Sequence, residues 1–186
     1  VFLDIDTMPA LPDTLECLVW LEEGGEQEEI PGVANRRSRF TGPFPHSLRR
    51  IHCDYVTHLE LPSELPPSVE ELDLYACGLT HLPALPSTLL VLKCQANALE
   101  ALPSPLPPHL RHLDFSWNKI LAVPAPLPTT LEALDCSSNP SIQALPSNLP
   151  KNLTWLACDG AEITYIPPAP AGLRTLTCSS NHLTAI

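Results

Sequence analysis

Apolar residues recur along the chain on a grid of about twenty positions. Pro-x-x-(Leu/Val) stands at Pro45/Leu48, Pro66/Val69, Pro86/Leu89, Pro107/Leu110, Pro128/Leu131, Pro150/Leu153 and Pro170/Leu173, at intervals of 21, 20, 21, 21, 22 and 20 residues. Three residues after each aliphatic comes another, at Ile51, Leu72, Leu92, Leu113, Leu134, Leu156 and Leu176. Two further on stands Cys53, Leu74, Cys94, Phe115, Cys136, Cys158 or Cys178, and three later Val56, Cys77, Asn97, Asn118, Asn139, Ala161 or Asn181. Units then close on an aliphatic and a Leu-Pro pair or its equivalent, as in Leu79…Leu82-Pro83 and Ile142…Leu145-Pro146. Two apolar positions two apart predict one short strand per unit, its alternate side chains pointing into a shared core. The return leg is too short and too rich in proline for an α-helix, so extended polyproline-type backbone with an occasional tight turn is expected there. No single coil can bury its own apolar face, and stability must come from stacked neighbours. The asparagine after the strand suits such a coil, because its amide both donates and accepts where the chain turns inward.

The motif LxxLxLxxNxL with a Leu-Pro return resembles the leucine-rich repeats, and specifically the short bacterial LPX subclass of type III secreted effectors of the YopM and IpaH type. The segments LPALPSTLLVLKCQANALEA (82–101) and LPSPLPPHLRHLDFSWNKILAV (102–123) carry the likeness, which extends over about residues 44–186. It implies a leucine-rich repeat solenoid of the α/β horseshoe class: short parallel strands on a concave face, extended or polyproline return legs and little helix. Residues 45–186 are assigned about seven units, with the array expected to run on past Ile186. Residues 1–44 depart from the family's helical hairpin cap. They hold a partial unit, LPDTLECLVWL (11–21), an acidic loop (22–32) and Arg36, Arg37 and Arg39, and are assigned as an atypical N-terminal repeat or cap. Leu3-Asp4-Ile5 is a candidate strand of a still earlier coil.

Composition narrows the partners. Of a formal charge of −11, residues 1–35 contribute −9, from nine acids and no Lys or Arg, while the remaining 151 carry twelve acids against ten bases. That balance argues against nucleic acid and anionic membrane surfaces. No apolar run approaches the roughly 18 residues of a membrane span, and Val1 opens no charged and apolar leader.

Seven cysteines could signal disulfides or metal, but five share one inward strand position of different coils and no Cys-x-x-Cys occurs. Reduced core thiols are expected, since parallel side chains in a ladder lack disulfide torsions. Among the histidines only His109-Leu-Arg-His112 is closely spaced, and no metal site or cofactor is expected. There is no phosphate-cradling glycine motif, no serine elbow and no His-Glu-x-x-His, and a solenoid offers no evident cleft to desolvate paired carboxylates. The segment is not expected to be an enzyme. The resemblance implies that a parent of the IpaH type carries a ubiquitin-ligase domain with a Cys-x-Asp nucleophile, and none of the seven cysteines here has that setting.

Function is therefore sought on the outward positions of the strand face. Candidate partner-binding residues are Asp73, Tyr75, Lys93, His112, Asp114, Trp117, Asp135, Trp155 and Asp159. Aromatics outside the core and ringed by polar groups are typical interface anchors, and the aspartates would attract a basic partner. The resemblance implies capture of a host protein inside the host cell, by the substrate-selecting part of a ligase or by a non-catalytic scaffold; the alternative is a surface or structural repeat protein whose face binds nothing specific.

Overall fold

The computed structural model describes residues 11–21, 44–56 and 59–184. The acidic loop, the arginines at 36, 37 and 39, the Leu3-Asp4-Ile5 segment and Ile186 lie outside the described residues. Eight strands run in chain order: β1 (Cys17–Leu21), β2 (Arg50–Asp54), β3 (Glu71–Asp73), β4 (Val91–Lys93), β5 (His112–Asp114), β6 (Ala133–Asp135), β7 (Trp155–Ala157) and β8 (Thr175–Thr177). They form one parallel sheet in the order β1 to β8, each strand paired with its sequence neighbour. From β2 on, successive strands begin about twenty residues apart, one coil per strand, and among the described residues none is helical. The partial unit 11–21 supplies β1, which pairs with β2 in register from Cys17↔Arg50 to Leu21↔Asp54.

The inward column Leu18, Ile51, Leu72, Leu92, Leu113, Leu134 and Leu156 is buried, and the second column of Cys53, Leu74, Cys94, Phe115, Cys136 and Cys158 is wholly so. Leu176, in the last described coil, is 37% exposed, with no following coil among the described residues. Each Pro-x-x-(Leu/Val) is a β-turn in which the aliphatic N–H donates to the proline carbonyl, at 3.0–3.2 Å in all eight instances from Pro12/Leu15 to Pro170/Leu173. Proline fits the first position because its carbonyl is used and its absent N–H is not missed. The residue before the aliphatic adds a second ladder: Ser47, Ser68, Thr88 and Thr130 donate their hydroxyls to Leu15, Leu48, Val69 and Leu110 carbonyls in the preceding coil, at 2.7–2.8 Å.

The asparagines staple coil to coil. Asn118 Nδ2 donates to Cys94, Phe115 and Ser116 carbonyls while its Oδ1 accepts from Leu99 N–H at 3.0 Å. Asn97, Asn139 and Asn181 repeat this, each reaching back to the coil before it. Where the residue is Cys77, the thiol takes over part of the task, donating to the Cys53 carbonyl at 3.0 Å. Ala161 cannot, and the N–H it would have clamped, that of Ile142, donates instead to the Asn139 carbonyl of its own coil at 3.0 Å. The extra residue of that 22-residue unit, in the turn Asn139-Pro140-Ser141-Ile142, makes this possible.

Candidate partner-recognition face

The sheet face turned away from the core is built from two outward rows. The register stacks Val19, His52, Asp73, Lys93, Asp114, Asp135, Ala157 and Thr177 side by side. Two residues later run Leu21, Asp54, Tyr75, Gln95, Ser116, Ser137, Asp159 and Ser179. Neighbouring strands lie about 4.8 Å apart, so Asp114 and Asp135 are adjacent carboxylates. Each is fixed by the chain just beyond it. Asp114 Oδ1 accepts from the Ser116 backbone N–H at 3.0 Å and its hydroxyl at 2.7 Å, and Asp135 Oδ1 accepts from Ser137 N–H at 2.9 Å. Asp159 Oδ1 accepts from Ser179 N–H in the following coil.

Burial pushes the Asp135 carboxyl above the usual range, the Ser137 hydrogen bonds oppose this, and the Asp114 and Asp159 charges add to it. Among the described residues no cation pairs with Asp114, Asp135 or Asp159. The arginines Arg49 and Arg111 are engaged by Glu70 and Glu132 in a different row.

Trp117 is 68% exposed and sits not in a strand but at the sharp turn after it, with φ of 55°. That left-handed position recurs in every described coil from β2 on, occupied by Tyr55, Ala76, Ala96, Trp117, Ser138, Gly160 and Ser180. Such backbone disfavours most side chains, and a bulky aromatic there gains nothing from core packing. Trp155 opens β7 between Ala133 and Thr175 and is half-buried. Tyr75 is half-buried under Tyr55, their rings meeting edge to face at 5.1 Å and 79°. Tyr55 is an exposed aromatic that the strand spacing overlooks, although it stands two residues after Cys53 as Trp117 stands two after Phe115.

The other candidates divide. His112 is exposed on the first position of β5. Asp73 is 5% exposed, too buried for a contact residue, because His52 and Lys93 close over it from the flanking strands. Lys93 Nζ lies 3.3 Å from Asp73 Oδ2 and His52 Nδ1 lies 3.6 Å from it, while His52 Nε2 is 2.9 Å from Asp54 Oδ2. Burial raises the Asp73 carboxyl against the pull of Lys93 and His52. His52, Asp54 and Asp73 thus form a compact group able to offer ligand atoms to a metal ion, which their 19- and 21-residue separations do not advertise.

The cysteines are free. Burial raises the thiols of Cys53, Cys94 and Cys136, and lifts Cys158 to about 12. Cys17 and Cys178 are partly exposed. A thiol reagent at pH 8 is therefore expected to label Cys17 and Cys178 readily and the five buried thiols only after denaturant is added, since the thiolate is the reacting species. Prompt native labelling of Cys94 or Cys136, read by peptide mass spectrometry, would refute the buried ladder.

Neither a protein-family model nor a curated protein sequence matches the chain. Solved structures do. YopM from Yersinia enterocolitica WA-314 superimposes with a TM-score of 0.74 at 29% identity, over 96% of this chain and 40% of that one. A Shigella effector LRR domain gives 0.63 at 34% identity, over 68% of this chain and 56% of that one. The functional domain of InlJ from Listeria monocytogenes, described as including a cysteine ladder, gives 0.67 at 24% identity over 76% and 32%, a likeness of fold. The chain spans less than two thirds of each of these proteins. No helix among the described residues is long and apolar enough to cross a membrane.

Proposed function

We propose, for a chain that is a bacterial leucine-rich repeat protein of the YopM- and IpaH-like effector family, that it captures a host protein on the concave face of its sheet after secretion into the host cell. The observation that carries this is Trp117: a large aromatic, 68% exposed, held in a left-handed turn three residues after Asp114, which like Asp135 has no cation partner among the described residues. Exposed aromatics flanked by fixed charges supply the anchor and the steering of protein interfaces. Tyr75, Trp155, His112 and Asp159 extend the same surface, while Asp73 and Lys93 are engaged with one another and support it from below. In a longer protein, the repeats would select the substrate of a ubiquitin ligase. Within these 186 residues no cysteine has the Cys-x-Asp setting, so the activity assigned to this segment is recognition and not transfer.

Trp117→Ala is expected to weaken capture by about thirtyfold, the ~2 kcal/mol typical of an interface anchor, and the Tyr75→Ala/Trp117→Ala/Trp155→Ala triple variant to abolish it. The check is retention of one discrete host protein by the immobilised chain, with circular dichroism showing the sheet intact. Equal retention by the triple variant would remove the assignment of this face.

A further inference from the structure

Separately from protein recognition, we propose that His52, Asp54 and Asp73 bind a divalent transition-metal ion of the zinc class across β2 and β3. The register places His52 directly opposite Asp73, and Asp54, two residues on, points to the same side of the sheet. One ligand atom from each side chain lies within 4.8 Å of the other two. Zinc bonds of about 2.1 Å in a tetrahedron hold ligand atoms roughly 3.4 Å apart, so a small contraction completes the set. His52 and Asp54 have the room for it, with side chains 38% and 28% exposed, while Asp73 is the fixed wall. His52 faces the two carboxylates through different nitrogens, Nδ1 toward Asp73 and Nε2 toward Asp54, and one of the two would serve as the ligand.

A second observation points to a cation. The Asp73 side chain is only 8% exposed, yet its Oδ1 has no hydrogen-bond partner, and Asp54 Oδ1 in the same group is equally buried and equally unpartnered. Buried polar oxygens are nearly always satisfied, and leaving a carboxylate oxygen without a donor is costly. A dication between the two carboxylates answers both. One imidazole and two carboxylates suit the zinc class, whereas calcium takes six or more oxygens and magnesium an octahedron of them. Three protein ligands leave the fourth position to water or to a side chain of a bound partner. Lys93 is the opposing charge. Its ammonium competes for Asp73 Oδ2, and being 41% exposed it can swing into solvent when the metal enters.

The test is titration of the metal-free, reduced 186-residue chain with zinc chloride against a chromophoric chelator, with cobalt(II) as the spectroscopic probe. One equivalent of zinc is expected to bind. His52→Gln and Asp73→Asn should each weaken it by at least about tenfold, as even the loss of an outer partner does at metal sites, and Lys93→Gln should tighten it. Bound cobalt should show weak visible bands without the intense near-ultraviolet absorption of a thiolate ligand, separating this site from the cysteines. His52 lies on the surface and Asn is isosteric with Asp, and far-ultraviolet circular dichroism verifies that both variants fold. Zinc binding unchanged by His52→Gln, binding with a thiolate band, or no stoichiometric binding would each overturn the assignment.

Discussion

Asn139→Ala is expected to lower the unfolding free energy by about 3 kcal/mol or more, seen as a drop in the urea midpoint at unchanged slope. Asn139 is fully buried. Its Nδ2 donates to the carbonyls of Phe115, Cys136 and Ser137, each at 3.1 Å, and its Oδ1 accepts from Ile120 N–H at 2.9 Å. Alanine removes all four bonds at once and leaves the backbone groups in a space water does not reach, where each orphan costs about 1–3 kcal/mol. The bonds span two coils, so the loss also weakens the interface on which a stacked array depends. Asn139→Asp should be no better, because it keeps the acceptor but turns a second oxygen toward three carbonyls. Asn181 makes the same bonds in the partly exposed last coil, and Asn181→Ala should cost visibly less. A change under about 1 kcal/mol at Asn139 would show that the amide ladder is not what couples the coils.

Phe115→Ala is the second large loss, about 3–5 kcal/mol by chemical or thermal unfolding. Phe115 heads the fully buried side chains, in the column whose neighbours in the adjacent coils are Cys94 and Cys136. A ring between two small thiols fills space that neither neighbour can reclaim, so truncation leaves a cavity instead of a collapse. Phe115→Leu is the control. Leucine already occupies this position at Leu74, and the exchange should cost no more than about 1.5 kcal/mol. Equal losses for the two variants would mean that ring shape, not volume, is being read.

Much of this architecture was legible because a stacked coil repeats its constraints. Pro45/Leu48 and its successors declare the turn, Leu72 and Leu74 the inward strand positions, and Asn97, Asn118 and Asn139 the staple, since each must meet the same physical demand in every unit. What the sequence withheld is what different residues can satisfy equally. The left-handed position accepts Tyr55, Ala96, Trp117, Ser138 and Gly160, so no composition signal marks it, and Trp117 reads from spacing as a strand-face residue. Asp73 looks like any outward aspartate. Its burial follows from Lys93, twenty residues away, and from His52, twenty-one residues away, folding over it. The His52, Asp54 and Asp73 group likewise exists only through register. Of the candidate face, the aromatics and the Asp114–Asp135 pair follow from the pattern, whereas the serines that fix those carboxylates emerge with the turn geometry.

Ala161 interrupts the succession of amides, and Ile142 has made its own arrangement within its coil. The junction between the coils of β6 and β7 is therefore crossed by sheet pairing, apolar packing and surface bonds such as that from the Asn152 amide to the Thr129 carbonyl, but by no buried asparagine. Strain travelling along the array, whether from heat, from pulling on one end or from a partner levering against the curved surface, is concentrated there. The coils of β7 and β8, joined to each other through Asn181, would then part from the rest as a pair. The absence of a buried amide at Ala161 sets the coils of β7 and β8 apart from the asparagine-stapled coils before them, giving a uniform repeat a place to hinge.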